Sequence, residues 1–373
     1  MKIPLCIPYI DEKEISQVVE VLKSGWFAHG AKNIEFEEQF AEFLGVKHSL
    51  SLNSCTSALQ LAILANNIRG EVIIPSFTWV ATANAVVTSG ATPVFVDIDS
   101  KDGHINPNAI EAAINQNTEA IISVNFGGSV ANMEAIQNIC KKHGLLLIED
   151  TAETIGGKYK KKLAGSYGIG CFSFFPTKNM TTGEGGMLTT NDGKLAQKVK
   201  SLLGHGIDKT TYERELKKKP WIRSASHAGF NFRMTNFQAA MGIEQLKKLN
   251  RMNELRRIHS FRLIENLENI ENIQLMSPNE HIYHVFQMFT IQVKADIRTQ
   301  FVYYLRKNGI GASVHFDPPV HKQPYYQNNY NNPQLPETEK LSSEIVTLPM
   351  YPQLTNKQLD YIVEIIHKFF TTQ

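Results

Sequence analysis

From His48 to Thr190, short apolar runs typical of buried strands alternate with segments of helical periodicity. Consecutive strands that are separated by helices need crossover connections, and such connections place the strands parallel within one sheet. This alternation predicts an α/β fold with a mainly parallel central sheet. The predicted strands cover residues 48–52, 71–74, 92–97, 120–125, 145–148, 170–175 and 187–190, and the predicted helices cover residues 12–23, 34–44, 56–65, 80–88, 107–114, 133–143 and 192–203.

A long helix is predicted to join two domains. Thr235 and Gln238 form a T-x-x-Q capping box, and the helix that it opens is expected to run past Asn250. We therefore expect a large α/β domain over residues 1–250 and a smaller α+β domain over residues 251–373. The smaller domain is predicted to contain strands 287–293 and 312–316, helices 299–307 and 356–370, and a loop rich in Pro, Asn and Tyr over residues 317–336.

The charge balance gives no general reason to bind polyanions. Lys and Arg total 38 and Asp and Glu total 36, so the net charge is only +2. We expect neither nucleic-acid binding nor attraction to a membrane, and any anion site must be local. No apolar run reaches the ~18 residues of a membrane helix and the amino terminus does not resemble a secretory signal, which predicts a cytoplasmic protein. The spacing of the four cysteines predicts reduced thiols and no metal site.

The stretch CFSFFPTKNMTTGEGGM, residues 171–187, contains a lysine in unusual surroundings. Its first residues continue a buried strand, which Pro176 ends because proline cannot donate to a sheet. Lys178 follows among polar residues, ahead of three glycines that permit close approach of the backbone. A desolvated lysine can be a nucleophile that forms a Schiff base, whereas most lysines are simply solvated. Residues elsewhere must decide between these two interpretations.

Two further segments suit a flat, phosphorylated ligand. Asn53–Ser57 is a small polar turn that runs into a helix, where backbone N–H groups and the helix dipole can bind a phosphate. Its Ser and Thr residues can instead be only helix caps. Trp79 lies at a predicted strand-to-helix junction, where its ring can stack on a heteroaromatic ring or pack in the core.

Carboxylate and amide side chains follow two other elements. The apolar strand LLLIED ends at Asp150, and a buried carboxylate needs a cation or a protonated nitrogen opposite it, although Asp150 can also be a helix cap. Asn231 lies between aromatic residues in GFNFR, where turn chemistry alone would also explain it.

Taken together, these residues match the needs of one cofactor. A lysine for a Schiff base, a carboxylate for a pyridinium nitrogen, an aromatic ring face, and a helix start with Ser173 for a phosphate predict a site for pyridoxal 5′-phosphate. In that chemistry, Asp150 keeps the ring nitrogen protonated, and Lys178 moves a proton between substrate and cofactor.

Five groups of motifs follow one another over nearly the whole chain. They are NSCTSALQLA, PSFTWVATANAV with GATPVFVDID, LLLIEDTAE, CFSFFPTKNMTTGEGGM and GFNFRMTNFQAAMGIEQL. In this order they resemble the DegT/DnrJ/EryC1/StrS family of nucleotide-sugar aminotransferases. The resemblance implies the fold of aspartate aminotransferase (fold type I), a homodimer with active sites at the subunit interface, glutamate as amino donor and a nucleotide-linked keto sugar as acceptor.

The resemblance also implies roles for individual residues. Lys178 would carry the cofactor, Asp150 would contact its pyridine nitrogen, and Trp79 would cover its ring. The phosphate would contact Thr56 and Ser173, and Asn231 would reach it from the neighbouring subunit. Cys55, at the same helix start as Thr56, is a further candidate for cofactor binding.

Glu153 departs from the family pattern, because many members carry glutamine or histidine three residues after the aspartate. An ionised carboxylate only accepts hydrogen bonds, so Glu153 would hold the cofactor's 3′-oxygen only when protonated or through water. His205 and His315 lie beside predicted element ends and either line the substrate cleft or are structural. The basic runs Lys160–Lys162 and Lys217–Lys219 face a diphosphate or are solvated turns.

Two alternatives to an aminotransferase stay open. One is a lyase or dehydratase that uses the same cofactor, although relatives that became dehydratases replaced the lysine with histidine. The other is a non-catalytic regulatory protein on the same fold. The motif T-T-G-E-G-G, residues 181–186, is similar to that of members that aminate carbon 4, and it implies a 4-keto-6-deoxy sugar. The sugar and its nucleotide would depend on residues 208–227 and 317–336.

Overall fold

The computed structural model describes residues 1–207, 212, 215, 221, 224–276, 280–331 and 333–371. Within these ranges, strands and helices alternate through the first half of the chain, as predicted. The strands are β1 (His48–Leu52), β2 (Glu71–Pro75), β3 (Thr92–Val96), β4 (Thr118–Val124), β5 (Leu146–Asp150), β6 (Lys158–Tyr159), β7 (Lys162–Leu163), β8 (Ile169–Ser173), β9 (Gly186–Thr190), β10 (Gln274–Leu275), β11 (Ile282–Tyr283), β12 (Phe289–Gln292) and β13 (Ile345–Leu348).

The helices include the predicted long one. Its capping box of Thr235 and Gln238 is formed, and the helix continues for 32 residues. None of the helices in the described ranges is long and apolar enough to cross a membrane. The helices are α1 (Glu12–Ser24), α2 (Ala31–Leu44), α3 (Cys55–Ala65), α4 (Val80–Thr88), α5 (Pro107–Ala113), α6 (Met133–His143), α7 (Gly193–Leu203), α8 (Asn236–Leu267), α9 (Ala295–Lys307), α10 (Pro324–Asn329), α11 (Pro336–Glu344) and α12 (Asn356–Thr371), with a 3₁₀ turn at Val320–Lys322.

The central sheet has seven strands in the order β1-β9-β8-β5-β4-β2-β3. The pairs from β8 to β3 are parallel, and β9 runs antiparallel to both β8 and β1. Alternate residues of one strand face two different cores: Val72 and Ile74 pack with α3 and α4, whereas Ile73 packs with α6. Because helices cover both faces, the inner strands β2, β4 and β5 consist mostly of apolar residues, which gives the sequence its continuous apolar runs.

A second sheet, β10-β12-β13, is antiparallel and packs with the end of α8 and with α9 and α12. Its core also contains Ile3 from the amino terminus. Conversely, Val320 and Tyr326 pack in the core of the central sheet. A division of the chain at residue 250 stays a prediction. Ile3, before that position, packs with the second sheet, and Val320 and Tyr326, after it, pack with the central sheet.

The prediction for residues 312–336 is wrong in two respects. Residues 312–316 do not form a strand, since Ser313 makes only an isolated bridge to Thr347 of β13, a strand that the sequence analysis missed. Instead, Phe316 turns into an aromatic cluster with Phe77 and Phe126, at ring distances of 5.4 and 5.9 Å. These distant contacts outweigh local strand propensity. The region predicted as a loop contains the 3₁₀ turn and α10.

Candidate active site

A cavity of about 400 Å³ lies where several central strands end. Val124 of β4, Asp150 of β5 and Ser173 of β8 are the last residues of three parallel strands, and all three line it. In open α/β sheets, ligands collect at the carboxyl ends of the strands. The predicted site residues that line this cavity are Cys55, Thr56, Trp79, Asp150, Glu153, Ser173, Lys178 and His315.

Lys178 reaches the cavity from the turn that follows β8. Its backbone N–H donates to the carbonyl of Phe175 at 3.0 Å, which reverses the chain after the strand. Its Nζ lies 3.2 Å from Oε1 of Glu153, and the two side chains are only 15% and 11% exposed. The other carboxylate oxygen of Glu153 accepts the backbone N–H of Gly127 at 3.1 Å. Glu153 is therefore a charged partner of the lysine, which the sequence analysis did not foresee.

The lysine turn is fixed by amide side chains from outside the motif. Gln245 of α8 accepts the N–H of Thr181 at 3.1 Å, and Asn253 of α8 accepts from Asn179 at 2.7 Å. Gln287 donates to the carbonyl of Thr177 at 2.9 Å. The sequence analysis did not identify these three residues, because no local motif marks them; Gln245 and Asn253 lie buried on α8.

Asp150 is buried beneath the cavity. Its carboxylate accepts the Thr82 hydroxyl at 2.8 Å and the Ala152 N–H at 3.2 Å, and the Cys55 thiol lies 3.9 Å away. Burial raises the pKa of Asp150, and these neutral donors offset the effect only in part. A cationic ligand group above Asp150 would favour its ionised form.

The start of α3 provides an anion site on another wall. Ser54 is the N-cap residue, and its hydroxyl accepts the N–H of Ser57 at 3.1 Å. The cap leaves the first turn, at Cys55 and Thr56, facing the cavity. Gly186 of β9 lies so close that an added Cβ would come within 2.5 Å of the Cys55 nitrogen. A glycine is thus required where the strand passes the start of the helix.

Aromatic and imidazole rings form the remaining wall. Trp79 is the N-cap residue of α4, and its side chain is 64% exposed, although the ring lies 6.4 Å from that of Phe316. His315 bonds through Nδ1 to the Thr347 hydroxyl at 2.7 Å. Burial lowers the pKa of His315. The wall therefore offers a broad apolar face and a neutral imidazole.

Two predicted site residues lie elsewhere. Asn231 forms a backbone bridge with Gly204, and the N–H of His205 donates to Phe230 at 2.7 Å. Neither residue lines the cavity within this chain. Lys160 and Lys161 form the turn between β6 and β7, Lys162 begins β7, and Lys160 pairs with Glu134. Lys217–Lys219 and most of residues 208–223 lie outside the described residues.

The family model for DegT/DnrJ/EryC1/StrS aminotransferases matches residues 8–367. The chain belongs to this family of aminotransferases. The spore coat polysaccharide biosynthesis protein SpsC of Bacillus subtilis is 37% identical over 98% of this chain and 96% of its own length.

Two solved structures support the same assignment. Helicobacter pylori PseC, an aminotransferase involved in the biosynthesis of pseudoaminic acid, is 31% identical over 100% of both chains with a TM-score of 0.93. The protein Spr1654 of Streptococcus pneumoniae, solved in its pyridoxamine phosphate (PMP) form, is 25% identical over 100% of both chains with a TM-score of 0.94. The fold is thus that of the pyridoxal-phosphate aminotransferases, as the sequence predicts.

Pyridoxal phosphate is the cofactor of this family, and the cavity fits it. The buried Asp150 carboxylate accepts only neutral hydrogen-bond donors in the described structure, which leaves it suited to a protonated ring nitrogen. The first turn of α3 suits a phosphate, and the amine of Lys178 opens onto the same space. The three groups therefore surround one cavity large enough for a substituted pyridine ring.

Proposed function

We propose that the protein is a pyridoxal-phosphate aminotransferase that transfers the amino group of glutamate to a nucleotide-linked keto sugar. The observation that carries this proposal is the convergence of Lys178, buried Asp150 and the start of α3 on one cavity. The family shows an aminotransferase, and the names of SpsC and PseC favour a sugar acceptor in the synthesis of surface or modified sugars.

The residues divide the work of the reaction among them. When bound, the cofactor supplies a ring that accepts electrons from the bond broken at the amino carbon. Asp150, as a carboxylate, holds the proton on the ring nitrogen. Lys178 carries the cofactor and, once an amino substrate displaces it, moves a proton at the reacting carbon. Cys55 and Thr56 at the start of α3, together with Ser173, bind the phosphate, and Trp79 covers the ring.

Glu153 takes a role that glutamine cannot fill. Its carboxylate is held by the Gly127 N–H and faces the lysine amine at 3.2 Å. An ion pair of this kind orients the amine toward the cavity. Glu153 therefore acts first on Lys178, and a contact to the 3′-oxygen would require a proton on its carboxyl group.

The keto group is proposed to lie at carbon 4 of a 6-deoxy sugar. Glu184 and Gly185 of the T-T-G-E-G-G motif line the cavity beside Lys178 and Ser173. The course of this backbone therefore limits which sugar carbon can approach the reactive atoms. His315, which also lines the cavity, is a candidate contact for the sugar, whereas His205 is not placed to make one within this chain.

The test is a screen of UDP-, dTDP- and GDP-linked keto sugars with glutamate as donor. One equivalent of 2-oxoglutarate should form for each amino sugar, and NMR should place the new amine on carbon 4. Release of ammonia or water without use of glutamate would favour the lyase or dehydratase instead. An amine on carbon 3, with 4-keto sugars inert, would contradict the assignment to carbon 4 but not the proposed aminotransferase.

We further propose a homodimer in which Asn231 completes the phosphate site of the neighbouring subunit. This proposal rests on the family resemblance and on the absence of Asn231 from the cavity lining of its own chain. Mixing Lys178→Ala with Asn231→Ala subunits should restore about a quarter of wild-type sites, since half of the random dimers contain one intact site. Subunits that exchange but regain no activity would indicate a site built within one chain.

A further inference from the structure

A hydrogen-bond chain joins the buried Ser76 and His321 to Glu339, which is partly exposed. The Ser76 hydroxyl lies 2.6 Å from Nδ1 of His321, and Nε2 of His321 lies 3.2 Å from Oε1 of Glu339. The backbone N–H of His321 donates to the same hydroxyl at 3.0 Å. Ser76 and the His321 side chain are both 0% exposed. Nothing in the proposed reaction uses these residues, so the chain needs its own explanation.

The hydrogen bonds determine the direction of the chain. The Ser76 oxygen accepts the His321 N–H, so its single hydrogen is available to Nδ1. The Glu339 carboxylate can only accept, so the ring proton lies on Nε2, and Nδ1 of the neutral ring accepts from Ser76. Burial lowers the pKa of His321, which favours this neutral ring. Every polar atom of the imidazole has a partner, so the arrangement is specific for histidine.

The three residue types match those of a hydrolytic triad, but the arrangement does not. In a triad the serine bonds to Nε2 and the acid bonds to Nδ1, whereas here the two ends of the ring are exchanged. The serine is also completely buried and does not line the active-site cavity. A substrate could not reach it, so a structural role is indicated.

The bonded residues belong to two segments that meet in the aromatic wall of the active site. Ser76 follows β2 and precedes Thr78 and Trp79, which line the cavity. His321 lies in the 3₁₀ turn shortly after His315 and Phe316, which line the cavity next to Trp79. A backbone hydrogen bond from Val320 to the Ser76 carbonyl, at 3.1 Å, runs beside the side-chain bond. The contact therefore joins segments 245 residues apart in the sequence.

Asp97 holds in place the helix that carries Glu339, the last residue of the hydrogen-bond chain. Its carboxylate accepts the N–H groups of Glu337 and Thr338 at 3.1 and 2.8 Å, at the start of α11. This cap places Glu339 in the first turn of α11, where its carboxylate meets His321. Because Asp97 and Ser76 directly follow the neighbouring strands β3 and β2, the central sheet holds both ends.

We propose that His321 is a positioning residue that fixes the His315–Phe316 segment of the active-site wall against the Trp79 turn. The position of the sugar against this wall depends on the proposed function, but the link between His321 and the Trp79 turn does not. Loss of the Ser76 bond should let the two segments separate while leaving Lys178 and Asp150 in place.

Paired substitutions test the hydrogen bonds at the two ends of the ring separately. Asparagine at 321 places its amide oxygen near the Nδ1 position and can keep the Ser76 bond, whereas glutamine places its amide nitrogen near Nε2 and keeps only the Glu339 bond. His321→Gln and Ser76→Ala should therefore behave alike, and His321→Asn should be milder. His259→Gln is the control, since His259 is also buried but bonds to the Pro352 carbonyl in the carboxyl-terminal part of the chain.

The first readout is Trp79 fluorescence in a Trp26→Phe, Trp221→Phe background, measured without substrate. His321→Gln and Ser76→Ala should shift the emission and increase quenching by acrylamide, whereas His259→Gln should change neither. The second readout is steady-state kinetics: KM for the sugar should rise about fivefold to tenfold, with kcat changed less than about threefold. If the variants change the fluorescence and no sugar is turned over even by the wild type, the result would support the positioning role and contradict the proposed function.

Two results would overturn the inference. One is wild-type Trp79 emission and quenching in His321→Gln at full folding, as judged by circular dichroism. The other is an equal effect in His321→Asn, His321→Gln and the His259→Gln control, because a general loss of stability would then explain every change.

Discussion

Two regions line the same cavity, but local sequence patterns determine the structure of one and contacts with distant residues determine the structure of the other. The carboxyl ends of β4, β5 and β8 supply Val124, Asp150 and Ser173, whereas the segment after Ala312 supplies His315 and Phe316. Regular local patterns fix the first region, because strands with both faces buried have little freedom of register. Distant side-chain contacts fix the second, including the ring cluster of Phe316 and the bonds of His321. Asp150, a proposed catalytic residue, thus lies on the first region, and His315, the proposed sugar contact, lies on the second.

The largest effect is expected from Lys178→Ala in the first region. The variant loses both the covalent attachment and the proton transfer, so turnover should fall by about 10⁴-fold or more and the yellow colour of the holoenzyme should disappear. Steady-state assays with absorbance spectra measure both. Lys162→Ala, at the exposed start of β7 over the Tyr167 ring, is the control and should retain activity. Full activity in Lys178→Ala would rule out this lysine as the cofactor's attachment point.

Asp150→Asn should have the second largest effect. The amide keeps the size of the side chain but cannot supply a negative charge to the ring nitrogen. The rate should fall by about 10²-fold to 10³-fold while the cofactor stays bound, as single-turnover kinetics and absorbance would show. An unimpaired variant would mean that Asp150 only accepts the hydrogen bonds of Thr82 and Ala152.

Phe316→Ala tests the second region. Phe316 is nearly buried among Phe77, Phe126 and Trp79, so its truncation should lower the free energy of unfolding by about 3 kcal/mol. Phe261→Ala is the control, because its ring is 45% exposed, and it should cost less than about 1 kcal/mol. Urea unfolding followed by circular dichroism gives both values. Equal losses would mean that the aromatic cluster does not determine the path of this segment.

The sequence predicted the two regions unequally. The alternation of strands and helices gave the order of the central strands along the chain, and single residues after their ends gave Lys178, Asp150 and Trp79. It could not give β13 or the turn at Phe316, because these depend on partners far away in the chain. The amides of Gln245, Asn253 and Gln287 were missed for the same reason, since no local motif marks a residue that supports another element.

The smallest effect concerns the stability of the cofactor-free protein as a function of pH. Burial raises the pKa of Asp150 above its ordinary 3.8, so the folded state favours the neutral carboxyl group. The associated stability is present below that ordinary value and is lost as the pH rises through the folded-state pKa.

Asp150→Asn should therefore match the wild type near pH 4 and melt about 2 °C higher near pH 7.5, in cofactor-free samples measured by calorimetry. Added pyridoxal phosphate should reduce or reverse this difference at pH 7.5, because the charged carboxylate then gains a cationic partner. A variant with the same offset from the wild type at both pH values would show that Asp150 is not destabilised by burial.

The most direct test of the central claim is to locate the cofactor covalently. Purified holoenzyme is reduced with borohydride, digested and analysed by peptide mass spectrometry. The expected result is one phosphopyridoxyl group per chain on Lys178, absent when glutamate has first converted the enzyme to its amino form. Modification of a different lysine, or an active enzyme with no modified lysine, would contradict the assignment of Lys178 and the active site built around it.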